Sequence, residues 1–396
     1  MTQQLVISPI HEDPKRADKL CEIVFDLDSF TDKNYLTHNF HPYPAKFVPQ
    51  IPRQIISTIS SKGESVLDPF CGSGTSLVEA SLLGRRAVGF DINPLACLIS
   101  EVKTTPLAQE EVRQAYSFLS AVEDVLFQIE LRGASVVESY KPPQFLNRNH
   151  WFQPQVQHEL AALKTLIWQL PSRRLQNFFK VAFSAIVVKV SNQDSDTRWV
   201  AVKKEVPLGD VVRAFLAKAQ DMLKRIEQYG AQRPTRAEVF VHSAIEPFPL
   251  EDESIDAVIT SPPYLNSYDY YLYHKLRFFW LGFDHYSVQE RELGSRNRHC
   301  DRGEGLGTYT TGMRVALREI FRVLRRNKIL CVVIGDAILR GQLIDMRKTY
   351  TLICEQLGFV LRHAFSYDQR RYTSSFTRNL KTTFKHSHIL FFERRK

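Results

Sequence analysis

The sequence predicts an α/β fold with a mixed, mainly parallel sheet and a large, mostly helical insert, and three stretches carry the sheet prediction. Residues 255–259 form a short apolar run typical of a buried strand, and two prolines end it soon afterwards. Residues 65–80 have the pattern of a strand, a glycine-containing loop and a helix. Residues 87–90 form another apolar strand, which ends at Asp91. Because ligands of open α/β sheets bind at the carboxyl edge, we expect a site there.

Composition places the chain among soluble globular proteins, since it has 396 residues with 44% hydrophobic and 24% charged residues. No apolar run approaches the roughly 18 residues of a membrane span. The N-terminus has no charged region followed by an apolar core, so we expect a cytoplasmic protein. The six cysteines include no Cys-x-x-Cys pair, which predicts neither a zinc site nor a disulfide framework.

The net charge of +9 is unevenly distributed. Residues 261–396 contain 24 Lys and Arg against 12 Asp and Glu, a balance of +12, whereas the first 260 residues carry −3. A basic half predicts a polyanionic partner, most simply nucleic acid. A chance asymmetry on a solvated surface is the alternative.

A rigid polar and aromatic tip, Thr260-Ser261-Pro262-Pro263-Tyr264, follows the first of these strands. Ser261 offers a hydroxyl, the carbonyl of Pro262 can point outward, and Tyr264 offers a flat ring. These groups suit a planar ring that bears an amino group, since the two oxygens can accept its N–H groups and the tyrosine can stack on it. Ser-Pro-Pro-Tyr resembles the catalytic motif of the DNA amino-methyltransferases, in the form typical of N4-cytosine enzymes.

The glycine loop reads DPFCGSGT from residue 68. A Walker A loop needs Gly-Lys-Ser/Thr after its glycines, and a dinucleotide loop needs a third Gly or Ala where Leu77 stands. The remaining pattern, Asp-x-Phe-x-Gly-x-Gly, resembles the S-adenosylmethionine loop of the same family. The resemblance assigns cofactor binding, with the methionine portion at the glycines and the threonine, to Asp68, Phe70, Gly72, Gly74 and Thr75.

The segment before this loop, residues 38–49, is rich in aromatic residues, histidines and prolines. It is similar to a segment that lies over the methionine end of the cofactor in many members of the family. The residues expected to contact the cofactor are Tyr43, Lys46 and Phe47. A purely structural lid on the first helix is the alternative.

The second strand ends in a sequence that looks like another cofactor motif of the family. Asp91 would accept both ribose hydroxyls, and Ile92 would lie against the adenine ring. At the end of the next predicted strand, residues 237–241, the family usually has an acid that contacts the adenine amine. This chain offers Ser243 there instead.

Aromatic and basic residues after the tip are the predicted contacts with nucleic acid. Tyrosines near the tip suit stacking on bases. Arginines in and before a glycine-containing loop, residues 294–307, suit phosphate contact, with an ordinary basic surface loop as the alternative. A second basic region lies between the last two predicted strands. The predicted contacts are Tyr268, Arg291, Arg296, Arg298, Arg370, Arg371, Arg378 and Lys381.

The resemblance implies a Rossmann-like class I methyltransferase in three parts. Residues 1–37 form an N-terminal arm, and residues 38–94 together with 237–396 form the catalytic domain. Residues 95–236 form the helical insert, which recognises the target sequence, covers the active site, or does both. Within the insert, we expect a loop at residues 193–196.

The function implied is site-specific transfer of a methyl group from S-adenosylmethionine to the N4 amine of cytosine in double-stranded DNA, after base flipping. The setting implied is the cytoplasm or nucleoid of a bacterial or archaeal cell, and the sequence leaves open whether a cognate restriction endonuclease is a partner. The 5-methylcytosine route needs a cysteine nucleophile, which the tip lacks, and the sulfonium donor is already activated, so no metal is expected. The alternatives are N6-adenine methylation of DNA, methylation of an RNA amine, and a non-catalytic DNA-binding subunit.

Overall fold

The computed structural model describes residues 20, 25, 32–196, 198–266, 268–296, 298–299, 304–368 and 385–395. Its strands, in chain order, are β1 (Ser65–Asp68), β2 (Arg86–Asp91), β3 (Gln193–Ser195), β4 (Arg198–Ala201), β5 (Ala237–Val241), β6 (Ile255–Thr260), β7 (Leu324–Gly335), β8 (Ala337–Leu339), β9 (Gln342–Ile344), β10 (Phe359–Asp368) and β11 (His386–Arg394).

The α-helices are α1 (Gln50–Ile59), α2 (Thr75–Leu82), α3 (Pro94–Thr104), α4 (Gln109–Arg132), α5 (Arg148–Trp151), α6 (Pro154–Trp168), α7 (Arg173–Val187), α8 (Asp210–Ala231), α9 (Tyr270–Leu281), α10 (His285–Arg291), α11 (Leu306–Val323) and α12 (Met346–Gln356). Two short 3₁₀ helices span Leu36–Asn39 and Gly133–Val136. None of the helices within the described ranges combines the length and the apolar character needed to cross a bilayer.

Seven strands form one twisted sheet in the order β10–β11–β7–β6–β1–β2–β5. Strand β1 pairs in parallel with β2 and β6, β6 pairs in parallel with β7, and β2 with β5. Strand β11 runs antiparallel to both of its neighbours, β7 and β10, so it is the reversed strand of the seven described in this sheet. The predicted fold class, an α/β fold with a mixed, mainly parallel sheet, is therefore confirmed. Because β2, β1 and β6 are adjacent and parallel, their carboxyl ends meet at one edge.

Helices cover both faces of the sheet, as the alternation of side chains along β1 shows. Val66 packs in the core that includes Ile55 of α1 and Leu77 of α2. The next residue, Leu67, points to the opposite face and packs in the core that includes Leu317 of α11. Buried apolar side chains on both faces explain why this central strand is apolar throughout its interior.

The helices of residues 95–236 pack into a third core rather than forming a separate body. Phe118 of α4, Phe179 of α7 and Phe215 of α8 share this core with Phe278 and Trp280 of α9, which follows the predicted catalytic tip. The helical character of the insert agrees with the sequence, and the division of the chain into domains stays a prediction. The prediction of a loop at residues 193–196 is wrong, because β3 pairs with β4 in a short antiparallel hairpin.

A buried carboxylate on α2 fixes the segment that precedes α1. Oε1 of Glu79 accepts a hydrogen bond from the Tyr35 hydroxyl at 2.6 Å and lies 2.7 Å from Nε2 of His38, and its Oε2 accepts from Arg53 at 3.0 Å. Burial lowers the pKa of His38 to about 4, so its neutral ring donates through Nε2–H. Although burial raises the pKa of Glu79, the hydrogen bonds from His38, Tyr35 and Arg53 lower it below the ordinary value, which keeps the group ionised.

Replacement of Glu79 by alanine is expected to destabilise the fold strongly, because the substitution leaves three donors without their acceptor. The expected loss in the free energy of unfolding is at least about 1.5–3 kcal/mol, the range for hydrogen bonds to a charged group. Urea denaturation of Glu79→Ala measures it, with Glu110→Ala in α4 as the control, whose exposed ion pair with Arg113 should contribute little to stability. Equal stability of the two variants would contradict the role given to Glu79.

Candidate functional site

A cavity of about 580 Å³ lies at the carboxyl edge of the sheet. This volume falls within the roughly 300–1,000 Å³ of small-molecule sites. The ends of β1, β2, β5 and β6, the segment before α1 and the loop after α10 all contribute to its walls. Seventeen of the predicted site residues line it: Tyr43, Lys46, Phe47, Asp68, Phe70, Gly72, Thr75, Asp91, Ile92, Ser243, Ser261, Pro262, Pro263, Tyr264, Tyr268, Arg291 and Arg296.

The remaining predicted residues fall into two groups. Gly74 and Arg298 are described but do not line the cavity. The basic residues predicted between the last two strands lie outside the described residues: Arg370, Arg371, Arg378 and Lys381. The structure thus brings the glycine loop and the diproline tip into one hollow, while the role of each residue stays a prediction.

The two glycines of the loop serve different purposes. Gly72 has a φ of +49° and donates its N–H to Oδ2 of Asp91 at 2.9 Å, and a Cβ there would lie 3.4 Å from the ring of Tyr43. Gly74 has a φ of +74°, and a Cβ there would lie only 2.6 Å from Oγ of Ser100 on α3. Gly72 therefore keeps the wall of the cavity open, whereas Gly74 permits close packing of the loop on α3.

A buried lysine supports the same loop from below. Lys103 of α3 donates from Nζ to the carbonyl of Ser73 at 2.7 Å. Burial, together with the nearby charge of Lys46, lowers the pKa of Lys103 to about 7. Sequence reasoning missed this residue, because a lysine on a helix gives no signal that its amine points into the protein.

Asp91 stands at the end of β2 beside the glycine loop. Its Oδ1 accepts the N–H of Asn93 at 2.8 Å, while its Oδ2 is held by Gly72. Burial raises the pKa of Asp91 to about 6, and the charge of Asp68 adds to the effect of burial. The two backbone hydrogen bonds fix the carboxyl at the cavity wall, where its remaining lone pairs can receive a ligand.

Asp68, at the end of β1, connects the glycine loop to the tip. Its Oδ1 accepts the N–H of Phe70 at 3.1 Å and the hydroxyl of Thr260 at 2.8 Å, and its Oδ2 accepts the hydroxyl of Ser76 on α2. Burial raises the pKa of Asp68 to about 6 against the lowering effect of these donors. One side chain thus joins the last residue of β6 to the loop and helix that follow β1.

Tyr309 hydrogen-bonds the backbone of the tip, and Tyr350 hydrogen-bonds Tyr309. The hydroxyl of Tyr309 on α11 donates to the carbonyl of Pro263 at 2.9 Å and lies 2.8 Å from the hydroxyl of Tyr350 on α12. These contacts occupy the carbonyl of Pro263, although all four residues of the tip, Ser261 to Tyr264, line the cavity. Burial raises the pKa of the Tyr264 hydroxyl well above its ordinary value, which keeps the ring neutral.

The segment before α1 forms a wall of the cavity next to the glycine loop. The ring of Tyr43 stacks on Tyr270 of α9, with 5.9 Å between centroids and 26° between planes. Lys46 lines the cavity and donates from Nζ to the carbonyl of His38 at 2.9 Å. Sequence reasoning missed Tyr270, since a tyrosine at the start of an apolar helix is equally typical of packing.

The arginines predicted to contact phosphates are partly engaged within the protein. Arg291 pairs with Glu246 at 2.8 Å, and Arg298 pairs with Glu304 at 3.0 Å. Arg296 is exposed at the cavity rim. Contact of these side chains with DNA stays a prediction, and the first two would have to exchange an ion pair for a phosphate.

Comparison with known proteins gives relatives along most of the chain. Residues 3–102 match a family model described as DNA methylase. The type II methyltransferase M.MvaI of Kocuria varians is 30% identical over 65% of this chain and 60% of its own length. The type II methyltransferase M.BsoBI of Geobacillus stearothermophilus is 26% identical over 72% of this chain and 62% of its own length. The chain thus spans about three fifths of the length of these relatives.

Among solved structures, a SAM-dependent methyltransferase of Methanosarcina mazei is 11% identical, with a TM-score of 0.34 over 90% of this chain and 99% of that one. The matched residues 3–102 include the glycine loop and Asp91. The family-model match and the type II methyltransferase relatives support a DNA amino-methyltransferase family member.

Proposed function

We propose that this protein transfers a methyl group from S-adenosylmethionine to the N4 amine of cytosine in double-stranded DNA, at a specific site and after flipping the base. The observation that carries the proposal is the single cavity that contains both the glycine loop and the Ser-Pro-Pro-Tyr tip. A donor site and an acceptor site for one small group are useful only if they are adjacent.

S-adenosylmethionine is the cofactor, and the residues present fit it. Positive φ at Gly72 and the absence of a side chain there leave room between the loop and Tyr43. Asp91 presents a carboxyl held by two backbone N–H groups, which suits the hydroxyls of a ribose. Phe47 and Ile92 supply apolar surface to the same cavity. When bound, this cofactor supplies a methyl group that is already activated by a sulfonium.

The tip residues act on the amine that receives the methyl group. An exocyclic amine of a nucleobase is a weak nucleophile, since its lone pair is delocalised into the ring. Ser261 Oγ and the carbonyl of Pro262 accept its two N–H groups, which favours a tetrahedral nitrogen with an available lone pair. Tyr264 stacks on the ring and holds the nitrogen in line with the methyl group.

The target atom is inaccessible in a duplex, so the base must leave the stack at a cost of a few kcal/mol. Stacking on Tyr264 and Tyr268, which line the cavity, offsets part of this cost. The exposed Arg296, which lines the cavity, is our candidate for contact with the DNA backbone.

The decisive experiment incubates the purified protein with labelled S-adenosylmethionine and unmethylated plasmid DNA, followed by mass spectrometry of the nucleosides. N4-methylcytosine is the expected product. N6-methyladenine would instead assign the adenine amine, which the same tip geometry can hold. Incorporation that is sensitive only to ribonuclease would move the substrate to RNA. No incorporation into either nucleic acid, despite cofactor binding, would indicate a non-catalytic subunit.

Replacement of Ser261 by alanine is expected to lower the rate of methyl transfer by about 10²-fold or more, because one hydrogen bond that polarises the amine is lost. The Kd for S-adenosylhomocysteine is expected to stay unchanged, since the substitution leaves the glycine loop and Asp91 intact. Single-turnover methylation and calorimetry measure the two quantities. Ser57→Ala on the exposed face of α1 is the matched control, and wild-type rates in Ser261→Ala would refute the role of the tip.

Affinity for S-adenosylhomocysteine is expected to rise by up to about tenfold between pH 5 and pH 7. Asp91, with a pKa of about 6, is mainly protonated at the lower pH and mainly ionised at the higher pH, and the ionised form accepts a ribose hydroxyl better. Calorimetry across this range measures the effect. Asp91→Asn should bind more weakly and with a shallower pH dependence, whereas an unchanged slope would assign the titration to Asp68 or another group.

A further inference from the structure

A buried glutamate that belongs to no sequence motif lines the cavity. Glu292 follows α10 and is 4% exposed. Its segment packs on the loop that leaves the tip, because the N–H of Asn266 donates to the carbonyl of Gly294 at 2.9 Å. The backbone at Gly294 also approaches Tyr264 so closely that a Cβ would lie 2.9 Å from the Tyr264 carbonyl oxygen. This close packing fixes where Glu292 stands.

Among the described residues, only one of its two carboxyl oxygens has a hydrogen-bond partner. Oε1 of Glu292 accepts the N–H of Tyr270, the first residue of α9, at 2.8 Å. Oε2 is buried and accepts no hydrogen bond from any of the described residues. Native proteins rarely leave a buried carboxyl oxygen unpaired, and a cavity wall is a place where a ligand can complete the pairing.

Contacts place this oxygen on the Asp91 side of the cavity. Tyr270, which donates to Glu292, stacks on Tyr43, and the ring of Tyr43 lies against Gly72. Gly72 in turn donates its N–H to Asp91. The charge of Asp91 is also close enough to act on Glu292. Glu292 therefore faces the region in which Asp91 is placed to receive a ribose.

A hydroxyl is a suitable partner for this carboxyl in either protonation state. Burial raises the pKa of Glu292 well above its ordinary value, and the charges of Asp269 and Asp91 raise it further, against the lowering effect of the N–H groups of Tyr270 and Tyr271. A hydroxyl can accept from a protonated carboxyl oxygen and donate to an ionised one, so it pairs with either form.

We propose that Glu292 is a cofactor-binding residue whose free oxygen hydrogen-bonds a ribose hydroxyl of S-adenosylmethionine, on the same side of the cavity as Asp91. The inference rests on the proposed function only for the identity of the cofactor. It also gives this chain a second acidic contact to the adenosine half, where the end of β5 presents Ser243 in place of an acid.

The test is calorimetric titration of S-adenosylhomocysteine and its 2′-deoxy and 3′-deoxy analogues into the wild type, Glu292→Ala and Glu292→Gln. Glu292→Ala is expected to raise the Kd for S-adenosylhomocysteine about tenfold, and Glu292→Gln somewhat less. For the analogue that lacks the partner hydroxyl, the Kd values of the wild type and of Glu292→Ala should be equal. The analogue has already removed the hydrogen bond, so the substitution has no further contact to remove. The exposed neighbour variant Glu290→Gln should match the wild type.

Thermal denaturation without ligand separates binding from folding. Glu292→Gln keeps an oxygen for the N–H of Tyr270 and removes a buried acid, so its Tm should equal or exceed that of the wild type. Kd values within twofold of the wild type for both Glu292 variants would overturn the inference, as would a full penalty that persists on both deoxy analogues. Failure of the wild type itself to bind S-adenosylhomocysteine would overturn the proposed function and the inference together.

Discussion

The carboxylate of Asp68 joins the two loops on which the site depends. Its oxygens receive the N–H of Phe70, the hydroxyl of Ser76 and the hydroxyl of Thr260, so a single buried group holds the glycine loop, the helix after it and the last residue before the tip. The parallel pairing of β1 with β6 sets the distance between the loops, and Asp68 fixes their orientation. Transfer of a methyl group requires the reacting atoms to be held at about 3–3.5 Å, a placement that only rigid neighbours can supply.

The segment before α1, which forms part of the cavity wall, is hydrogen-bonded to the helical insert. The hydroxyl oxygen of Ser184 on α7 lies 3.0 Å from Nε2 of His41, which belongs to the segment before α1. Its carbonyl accepts from Arg277 of α9 at 3.0 Å, and the same guanidinium pairs with Asp196 in the β3–β4 hairpin. The insert therefore braces both the segment before the glycine loop and the helix after the tip, through a buried cation and a shared apolar core.

Local sequence was sufficient to predict the parts of the fold that repeat a simple pattern. The strands that end at Asp68, Asp91 and Thr260 are short, apolar and followed by punctuating residues, and the structure places all three side by side. The motifs also predicted seventeen of the residues that line the cavity, since motif residues follow strand ends. The β3–β4 hairpin was missed because its polar residues carry no alternating apolar pattern.

Tertiary contacts decided what the sequence left open. Gly74 and Gly72 cannot be distinguished within the motif. In the fold, Gly74 packs against Ser100 of α3 and does not line the cavity. Arginine is a common phosphate ligand, so the sequence predicts that role for Arg291. Only the fold shows that Arg291 pairs with Glu246. Glu292 is one acidic residue among many on a polar stretch, and its burial with an unpaired oxygen depends on how the loop after α10 packs against α9.

The most direct test of this account is a crystal structure of the protein with S-adenosylhomocysteine and a DNA duplex that contains its target site. The account predicts the target base outside the duplex stack, with its ring on Tyr264 and its amine within hydrogen-bond reach of Ser261 Oγ and the Pro262 carbonyl. The sulfur of the cofactor should face that amine from the glycine loop. A target base that remains stacked in the duplex, or a cofactor bound away from the loop, would contradict it.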